Sequence, residues 1–407
     1  MQKILIAMSG GVDSSVAAYI LQQDHKNCIG AMMKLYDSAK ATMSLPEGSG
    51  VGLCPAEWRG VGFDSCEAGV HKHGPPGQQA QLARGQSPTG IKTCCSLDDV
   101  EDARQVAASL SMPFYVFNFT DTFAEAVMDR FIQAYKCGKT PNPCIDCNRF
   151  MKFERFLRRA TELDCSHIAT GHYARISADT NGRYLLKTGL DTTKDQSYVL
   201  YAMNQQQLSR TLLPLGGLTK EEVRKIAEEQ RFVNAKKRDS QDICFAPDGD
   251  YAGFIERYAS GGGAIPGYKI EPGKFLNTQG EILGGHKGII HYTIGQRKGL
   301  GISAPHPLFV LSLNPQDNTV TLGKSEELFT TTFTANDINL IPMDKLDGSL
   351  RVQAKIRYSH IAQPATLWQT DEDTIRIEFD TPQRAITPGQ AVVLYDGDIV
   401  VGGGTIL

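Results

Sequence analysis

The chain has 407 residues, of which 41% are hydrophobic and 21% charged, proportions that suit about two to four folded domains and exclude a disordered or fibrous chain. Its net charge of −3 excludes a uniformly basic nucleic-acid binder and leaves only local patches for such a role. The apolar runs at residues 4–8 and 391–395 fall far short of a bilayer span and the first residues lack a signal-peptide pattern, so a cytoplasmic protein with no membrane partner is expected.

In that setting the ten cysteines point to thiol chemistry or metal binding rather than to a disulfide scaffold. Residues 3–8 read as a buried strand and 16–22 as the helix after it, followed by a strand at 28–35, a helix at 97–110 and a strand at 114–119. A helix at 150–163 and a strand at 167–171 complete the alternation, which predicts a doubly wound α/β domain built on a parallel sheet. Residues 44–93 interrupt it with ten Gly and five Pro and read as a mobile insertion. Its Cys54, Cys66, His71 and His73 lack compact zinc spacing and read as loop residues.

Further along, Thr219 and Glu222 form a capping box that opens a helix at 219–230. After residue 245 short strands, Gly and Pro take over, and alternation at 319–322, 350–356, 374–379 and 391–394 predicts an antiparallel barrel or sandwich. The expected division is an α/β domain at 1–246, a small α+β domain at 247–313 and a C-terminal antiparallel β-barrel at 314–407. The last carries thirteen acidic and seven basic residues, so any RNA contact there rests on local features.

Three segments carry chemistry. The first strand runs through Ala7 and Met8 into Ser9, Gly10, Gly11, Val12, Asp13, Ser14 and Ser15. Glycines admit an anion close to the backbone, serines add donors, and a helix N-terminus follows, which together make a phosphate cradle. The lysine of a Walker loop is missing. The second segment is Thr140, Pro141, Asn142, Pro143, Cys144, Ile145, Asp146 and Cys147, within a stretch at 130–160 that holds eight Lys or Arg against two acidic residues. Cys147 lies near an expected helix start beside Arg149 and Lys152, features that favour a thiolate, although the Cys-x-x-Cys spacing equally suits a redox pair or a metal. The third is Asp239, Ser240, Gln241, Asp242, Ile243, Cys244 and Phe245. Cys244 there is an apolar filler or, given Lys236, Lys237 and Arg238 beside it, a reactive thiol.

The first segment resembles the PP-loop of ATP pyrophosphatases, and the three in order resemble the bacterial tRNA-specific 2-thiouridylases of the MnmA type. Further matching segments include residues 170–173, 194–198, 293–301, 357–358 and 387–390. The resemblance implies ATP, with Mg²⁺, held by Ala7, Met8, the Ser9 to Ser14 loop, Met33 and Gly171. It implies tRNA contacts at Asn142, Pro143, Cys144, His172, Lys194, Asp195, Gln196, Arg357, Tyr358 and Gln390, with tRNAs for Lys, Glu and Gln as acceptors. It further implies adenylation of the wobble uridine, then thiolation by a persulfide on Cys244, received from a sulfur-donor protein, with Cys147 as partner nucleophile and a disulfide formed between the two. Cys144 departs from the aspartate usual in that family. Cys144, Cys147 and Cys244 could alternatively ligate an iron–sulfur cluster. Other readings are a PP-loop amidoligase on a small molecule, which needs no reactive cysteine, and a non-catalytic RNA-binding protein.

Overall fold

The computed structural model describes residues 2–24, 27–36, 96–239, 243–246, 249–260 and 269–407. The expected insertion at 44–93, with Cys54, Cys66, His71 and His73, lies outside the described residues, as do Ser240, Gln241 and Asp242.

Strand β1 (Lys3–Ala7) leads to helix α1 (Val12–Gln23), and β2 (Asn27–Lys34), α2 (Leu97–Ser109) and β3 (Phe114–Asn118) follow. A helical stretch then runs from α3 (Thr120–Phe123) through wide, π-type turns at Ala124–Asp129 into α4 (Arg130–Lys136). A second runs from α5 (Pro143–Asp146) through wide turns at Cys147–Arg155 into α6 (Phe156–Glu162), ahead of β4 (His167–Ala169). The hairpin β5 (Ala174–Ala178) and β6 (Tyr184–Thr188), helix α7 (Gln205–Ser209), β7 (Thr211–Leu212) and α8 (Lys220–Glu229) complete the first part.

The five strands β3-β2-β1-β4-β7 form one parallel sheet in that spatial order. Side chains alternate across a strand, so Ile4 and Ile6 of β1 join the cluster under α1, α2 and α8, while Leu5 joins the cluster on the other face with Phe131 and Phe156. Both faces are covered, which is why β1 after Lys3 and β2 between Asn27 and Lys34 are continuously apolar rather than alternating. Burying each such side chain contributes about 1.5–3 kcal/mol.

Helix α9 (Tyr251–Ser260) precedes a mixed four-stranded sheet of β8 (Gly273–Leu276), β9 (Ile282–His286), β10 (Phe309–Asn314) and β11 (Thr319–Gly323). β11 pairs antiparallel with β10 and parallel with β8. The strand expected at 319–322 therefore belongs to this sheet, which extends beyond residue 313, because a short turn returns the chain directly along β10.

The remaining strands are β12 (Phe329–Leu340), β13 (Ser349–Lys355), β14 (Gln363–Gln369), β15 (Thr374–Arg384), β16 (Ala391–Asp396) and β17 (Ile399–Ile406). They pair in the order β12-β15-β14-β13-β16-β17, and β17 returns to β12, which closes an antiparallel barrel. Closure removes the exposed sheet edges. The β5–β6 hairpin extends the same sheet through Lys187 opposite Ile399. Among the described residues no helix is long and apolar enough to cross a membrane.

Candidate active site

The sheet places the glycine-rich loop. The Met8 amide donates to the Ala31 carbonyl at 2.8 Å, carrying the β1–β2 register into the loop. Gly10 has φ +73°, and a Cβ there would lie 2.3 Å from the Asp99 carbonyl oxygen; only glycine meets both conditions. Gly11 is the N-cap of α1 with no side-chain cap, so the first-turn amides of a 12-residue helix remain the natural partners of an anion. The chain leaves β1 toward β2 on one side and leaves the adjacent β4 toward β7 on the other, which makes the carboxyl ends of β1 and β4 a topological switch point. Gly171 follows β4, and a Cβ on it would lie 2.8 Å from the Asp13 carbonyl carbon and 2.9 Å from the Ser14 nitrogen. Ala7, Met8, Ser9, Gly10, Gly11, Val12, Asp13, Ser14, Met33 and Gly171 thus gather at the carboxyl ends of the adjacent strands β2, β1 and β4.

Residues read in other roles from the sequence, together with Lys220, Arg224 and Asn234, which no motif singled out, brace this loop. Asp13 accepts from the Tyr173 hydroxyl at 2.8 Å and from the Lys220 ammonium at 2.7 and 2.8 Å. Lys220 also pairs with Asp239 at 2.8 Å, and Asp239 accepts from Lys194 at 2.9 Å and Arg224 at 3.0 Å. Burial pushes the Asp239 carboxyl up, but the hydrogen bonds from Lys220 and Lys194 outweigh it and hold it below the usual carboxylate range. Asn234 donates to the Gly10 carbonyl at 3.0 Å and to the Ser15 hydroxyl at 2.9 Å. Lys237 reaches the Gly10 carbonyl at 3.1 Å and Asp99 and Asp102 at 2.6 Å each. The basic run near Cys244 thus commits Lys237 to the loop. Its one sequence signal was that run itself.

Helix α5 starts at Pro143, not at residue 150 as expected. The side-chain oxygen of Asn142 accepts the Cys144 amide at 3.1 Å, and Pro143 fills the first helical position with its preset φ. The helix start therefore acts on Cys144, which is exposed, while Cys147 sits half-buried a turn later, where the wide turns begin. The cations expected beside Cys147 are engaged: Arg149 binds Asp337 of β12 through both guanidinium nitrogens, and the Lys152 ammonium donates to His172 Nε2 at 3.3 Å. Burial pushes the Asp146 carboxyl up against the pull of Arg130, whose Nε lies 3.6 Å away. The basic stretch at 130–160 is thus partly neutralised by internal pairs.

Cys244 is half-buried in a turn anchored by Phe245, whose ring lies 4.8 Å from Phe254, 5.2 Å from Phe131 and 6.0 Å from Phe123. Cys147 and Cys244 pack against the same apolar cluster. Among the described residues no group of three His, Cys, Asp or Glu side chains is placed to hold a metal ion. Cys144, Cys147 and Cys244 therefore do not form a ligand set in this structure.

The segment just ahead of Cys144 and Cys147 is where all three parts of the chain meet. Thr140 donates its amide to the Pro388 carbonyl at 2.9 Å and accepts from Gln390 Nε2 at 2.7 Å, while its hydroxyl lies 3.5 Å from that of Thr293. A Cβ on Gly138 would lie 3.2 Å from Leu313. Asp195 accepts from the Gly189 and Ser197 amides and the Ser197 hydroxyl, and its carbonyl accepts from the Tyr358 hydroxyl at 3.1 Å. Gln196 accepts the Tyr173 amide at 3.0 Å, and Arg357 donates to the Arg384 carbonyl at 3.0 Å. Tyr358 keeps 46% of its surface exposed.

His172, expected as an RNA contact, is 8% exposed and has both ring nitrogens occupied, Nε2 by Lys152 and Nδ1 by the Thr170 hydroxyl at 2.7 Å. Burial and then Lys152 hold its pKa well below the usual histidine range, so the imidazole is neutral. Lys355 was not foreseen; its ammonium lies 5.9 Å from the Tyr198 ring centre and 6.0 Å from that of Tyr358.

Comparison with known proteins gives three domain families in chain order. The tRNA methyl transferase HUP domain matches residues 2–57 and 78–248, the tRNA methyl transferase PRC-barrel domain 267–324, and the aminomethyltransferase beta-barrel domain 330–406. The tRNA-specific 2-thiouridylase MnmA of Clostridioides difficile is 47% identical over 100% of this chain and 98% of its own length. Its counterpart in Lachnoclostridium phytofermentans is 45% identical over 100% of both. The chain belongs to the tRNA-specific 2-thiouridylase MnmA family.

Proposed function

We propose that this chain is an ATP-dependent tRNA sulfurtransferase that converts the 2-carbonyl of the wobble uridine, position 34, to 2-thiocarbonyl. A carbonyl oxygen leaves poorly until it is activated. In the first step the uridine O2 attacks the α-phosphorus of ATP, the bond to the β-phosphate oxygen breaks, and pyrophosphate departs with the electron pair while the N3 proton goes to solvent. The loop from Ser9 to Ser14, with the uncapped first turn of α1, receives the phosphates. Magnesium arriving with the nucleotide supplies further charge neutralisation. Asp13 is already paired with Lys220 and Tyr173, so the loop suits phosphate oxygens rather than a metal.

In the second step the terminal sulfur of a Cys244 persulfide attacks C2, and AMP leaves with the C2–O2 electron pair. The Cys147 thiolate then attacks the Cys244 sulfur and breaks the S–S bond. The terminal sulfur stays on C2 as the thiocarbonyl while N3 takes back a proton from solvent, and the Cys147–Cys244 disulfide awaits a thiol reductant. A persulfide-carrying donor protein reloads Cys244. Asn142, Pro143 and Cys144 receive the target base, and Lys194, Arg357, Tyr358 and the barrel clamp the tRNA, with Lys, Glu and Gln tRNAs as acceptors. Asp195, Gln196 and Gln390 order that surface. Cytoplasmic localisation follows from the substrate. The alternative is the same reaction with Cys144, Cys147 and Cys244 as ligands of an iron–sulfur cluster; the persulfide route is favoured because among the described residues no group of three His, Cys, Asp or Glu side chains is placed to hold a metal ion.

The observation that carries this reading is the pair of links from the loop to both cysteine segments. One runs from Asp13 through Lys220 to Asp239, ahead of Cys244. The other runs from Gly171, packed on Ser14, through His172 to Lys152 on the helix of Cys147. The test is a single-turnover reaction with tRNA, ATP and a persulfide source. Cys147→Ser and Cys244→Ser are expected to keep tRNA-dependent pyrophosphate release and lose 2-thiouridine. Thiolation retained in Cys147→Ser would refute the relay, and ATP cleavage indifferent to tRNA would favour a small-molecule ligase.

A further inference from the structure

We propose that Cys144 is a resolving thiol: after each sulfur transfer it draws Cys147 into a Cys144–Cys147 disulfide and frees Cys244 for reloading. This rests on the persulfide relay proposed above, which ends with Cys147 and Cys244 joined. All three cysteines are reduced in this structure, Cys144 exposed and the other two half-buried or buried deeper than it. Cys147 and Cys244 both pack against the large apolar cluster, so a disulfide between them lies where an external reductant has poor access. Cys144 is the member of the set that opens to solvent.

The backbone brings the two thiols of the new pair together. Asn142 accepts the Cys144 amide and fixes the first turn, and the Cys147 amide donates to the carbonyls of Cys144 and Pro143. Cys147 therefore stands one helical turn beyond Cys144, on the same side. Helix geometry puts α-carbons three residues apart about 5 Å from each other, inside the roughly 4.4–6.8 Å span that a disulfide bridges. Cys144 also faces the substrate surface, since its thiol lies within electrostatic reach of the Tyr358 hydroxyl on the barrel. A tRNA that seats its target base on Asn142, Pro143 and Cys144 covers this thiol, so reduction of the pair belongs to the state after product release.

The steps are thiol–disulfide exchanges. The Cys144 thiolate attacks the Cys147 sulfur, the Cys147–Cys244 bond breaks, and Cys244 leaves with the electron pair as a thiolate ready for the donor protein. That step is redox-neutral. A protein dithiol then attacks the Cys144 sulfur and Cys147 leaves as a thiolate. The second thiol of the dithiol attacks the mixed disulfide, releases Cys144 and departs as an oxidised pair, so the dithiol supplies both electrons. The Cys-x-x-Cys spacing suits these steps because it lowers a thiol pKa and so supplies the attacking thiolate. The aspartate usual at this position in the family has no such chemistry.

The test uses full-length protein loaded with persulfide on Cys244 and turned over once with tRNA and ATP in the absence of reductant, then acid-quenched, alkylated and digested with trypsin. Residues 140–149 and 239–257 fall in separate tryptic peptides. Wild type is expected to give an internal Cys144–Cys147 disulfide in the first peptide and an alkylated Cys244. Cys144→Ser is expected to give a crosslink between the two peptides, to stop after one turnover when thioredoxin is the reductant, and to resume when a small phosphine reduces the crosslink directly. A crosslink with alkylated Cys144 in wild type, or repeated turnover of Cys144→Ser on thioredoxin at the wild-type rate, would overturn the proposal. Failure of the relay itself looks different, because 2-thiouridine would then form with no disulfide at Cys147 in either protein.

Discussion

Replacing Lys220 by methionine removes the cation shared by Asp13 and Asp239, leaving Asp13 only the Tyr173 hydroxyl and Asp239 the Lys194 and Arg224 cations. The Lys220 side chain is 11% exposed, against 31% for Asp13 and 23% for Asp239. Removing one partner of a buried pair costs about 3–5 kcal/mol, and the partly wet carboxylates bring this to about 2–3 kcal/mol. For a domain of this size that lowers the thermal midpoint by roughly 4–12 °C. The assay is thermal unfolding at pH 7 of wild type, Lys220→Met, Asp239→Asn and the double variant. Asp239 contributes stability above its unfolded pKa, and this is lost as pH falls through its depressed folded pKa, so the effect is fully present at pH 7. The double variant should lose less than the sum of the two single losses, since Lys220→Met and Asp239→Asn remove the same contact. A Lys220→Met midpoint within about 2 °C of wild type, or strictly additive single effects, would refute the reasoning.

Gly171→Ala should weaken ATP binding far more than tRNA binding, because the new methyl meets the Asp13–Ser14 backbone at 2.8–2.9 Å; equal losses in the two titrations would contradict that placement. Burial raises the Asp129 carboxyl to about 6, opposed by a hydrogen bond from Tyr258 and reinforced by Glu125. The native state therefore holds a proton more tightly than the unfolded chain, and stability falls as pH rises from about 4 to about 6. Asp129→Asn should then raise the thermal midpoint at pH 8, with a gain that fades toward pH 4; a gain independent of pH would reject the assignment. Protein purified without oxygen is expected to thiolate tRNA with no stoichiometric iron or acid-labile sulfide. A full cluster that disappears in Cys144→Ser would reverse that expectation.

Local signals carried far in this chain. The capping box of Thr219 and Glu222 forms as read, with the Glu222 carboxylate accepting the Thr219 amide at 2.7 Å, because both partners lie within one turn. The β1–loop–α1 unit was legible for the same reason. What escaped depends on distant partners. The β5–β6 hairpin joins β17 some two hundred residues later, and no local pattern announces that pairing. The helix start at Pro143 was hidden because prolines read as loop, although one proline suits the first helical position. The hydrogen bonds of His172 with Thr170 and Lys152, and of Asp195 with Ser197 and Gly189, were likewise set by the fold and not by any local pattern.

The clamp on Thr140 has a consequence for biosynthesis. Its carbonyl waits for Gln390, 250 residues downstream, and its amide for Pro388. At translation rates of about 5–20 residues per second those partners follow by roughly 12–50 s. The nucleotide loop closes within the first part of the chain, yet the strand-like entry to Cys144 and Cys147 is completed only as the last strand of the barrel emerges. A nascent chain can therefore hold its nucleotide site well before its thiols are set in place, and reactive sulfur meets a finished cleft only after synthesis has ended.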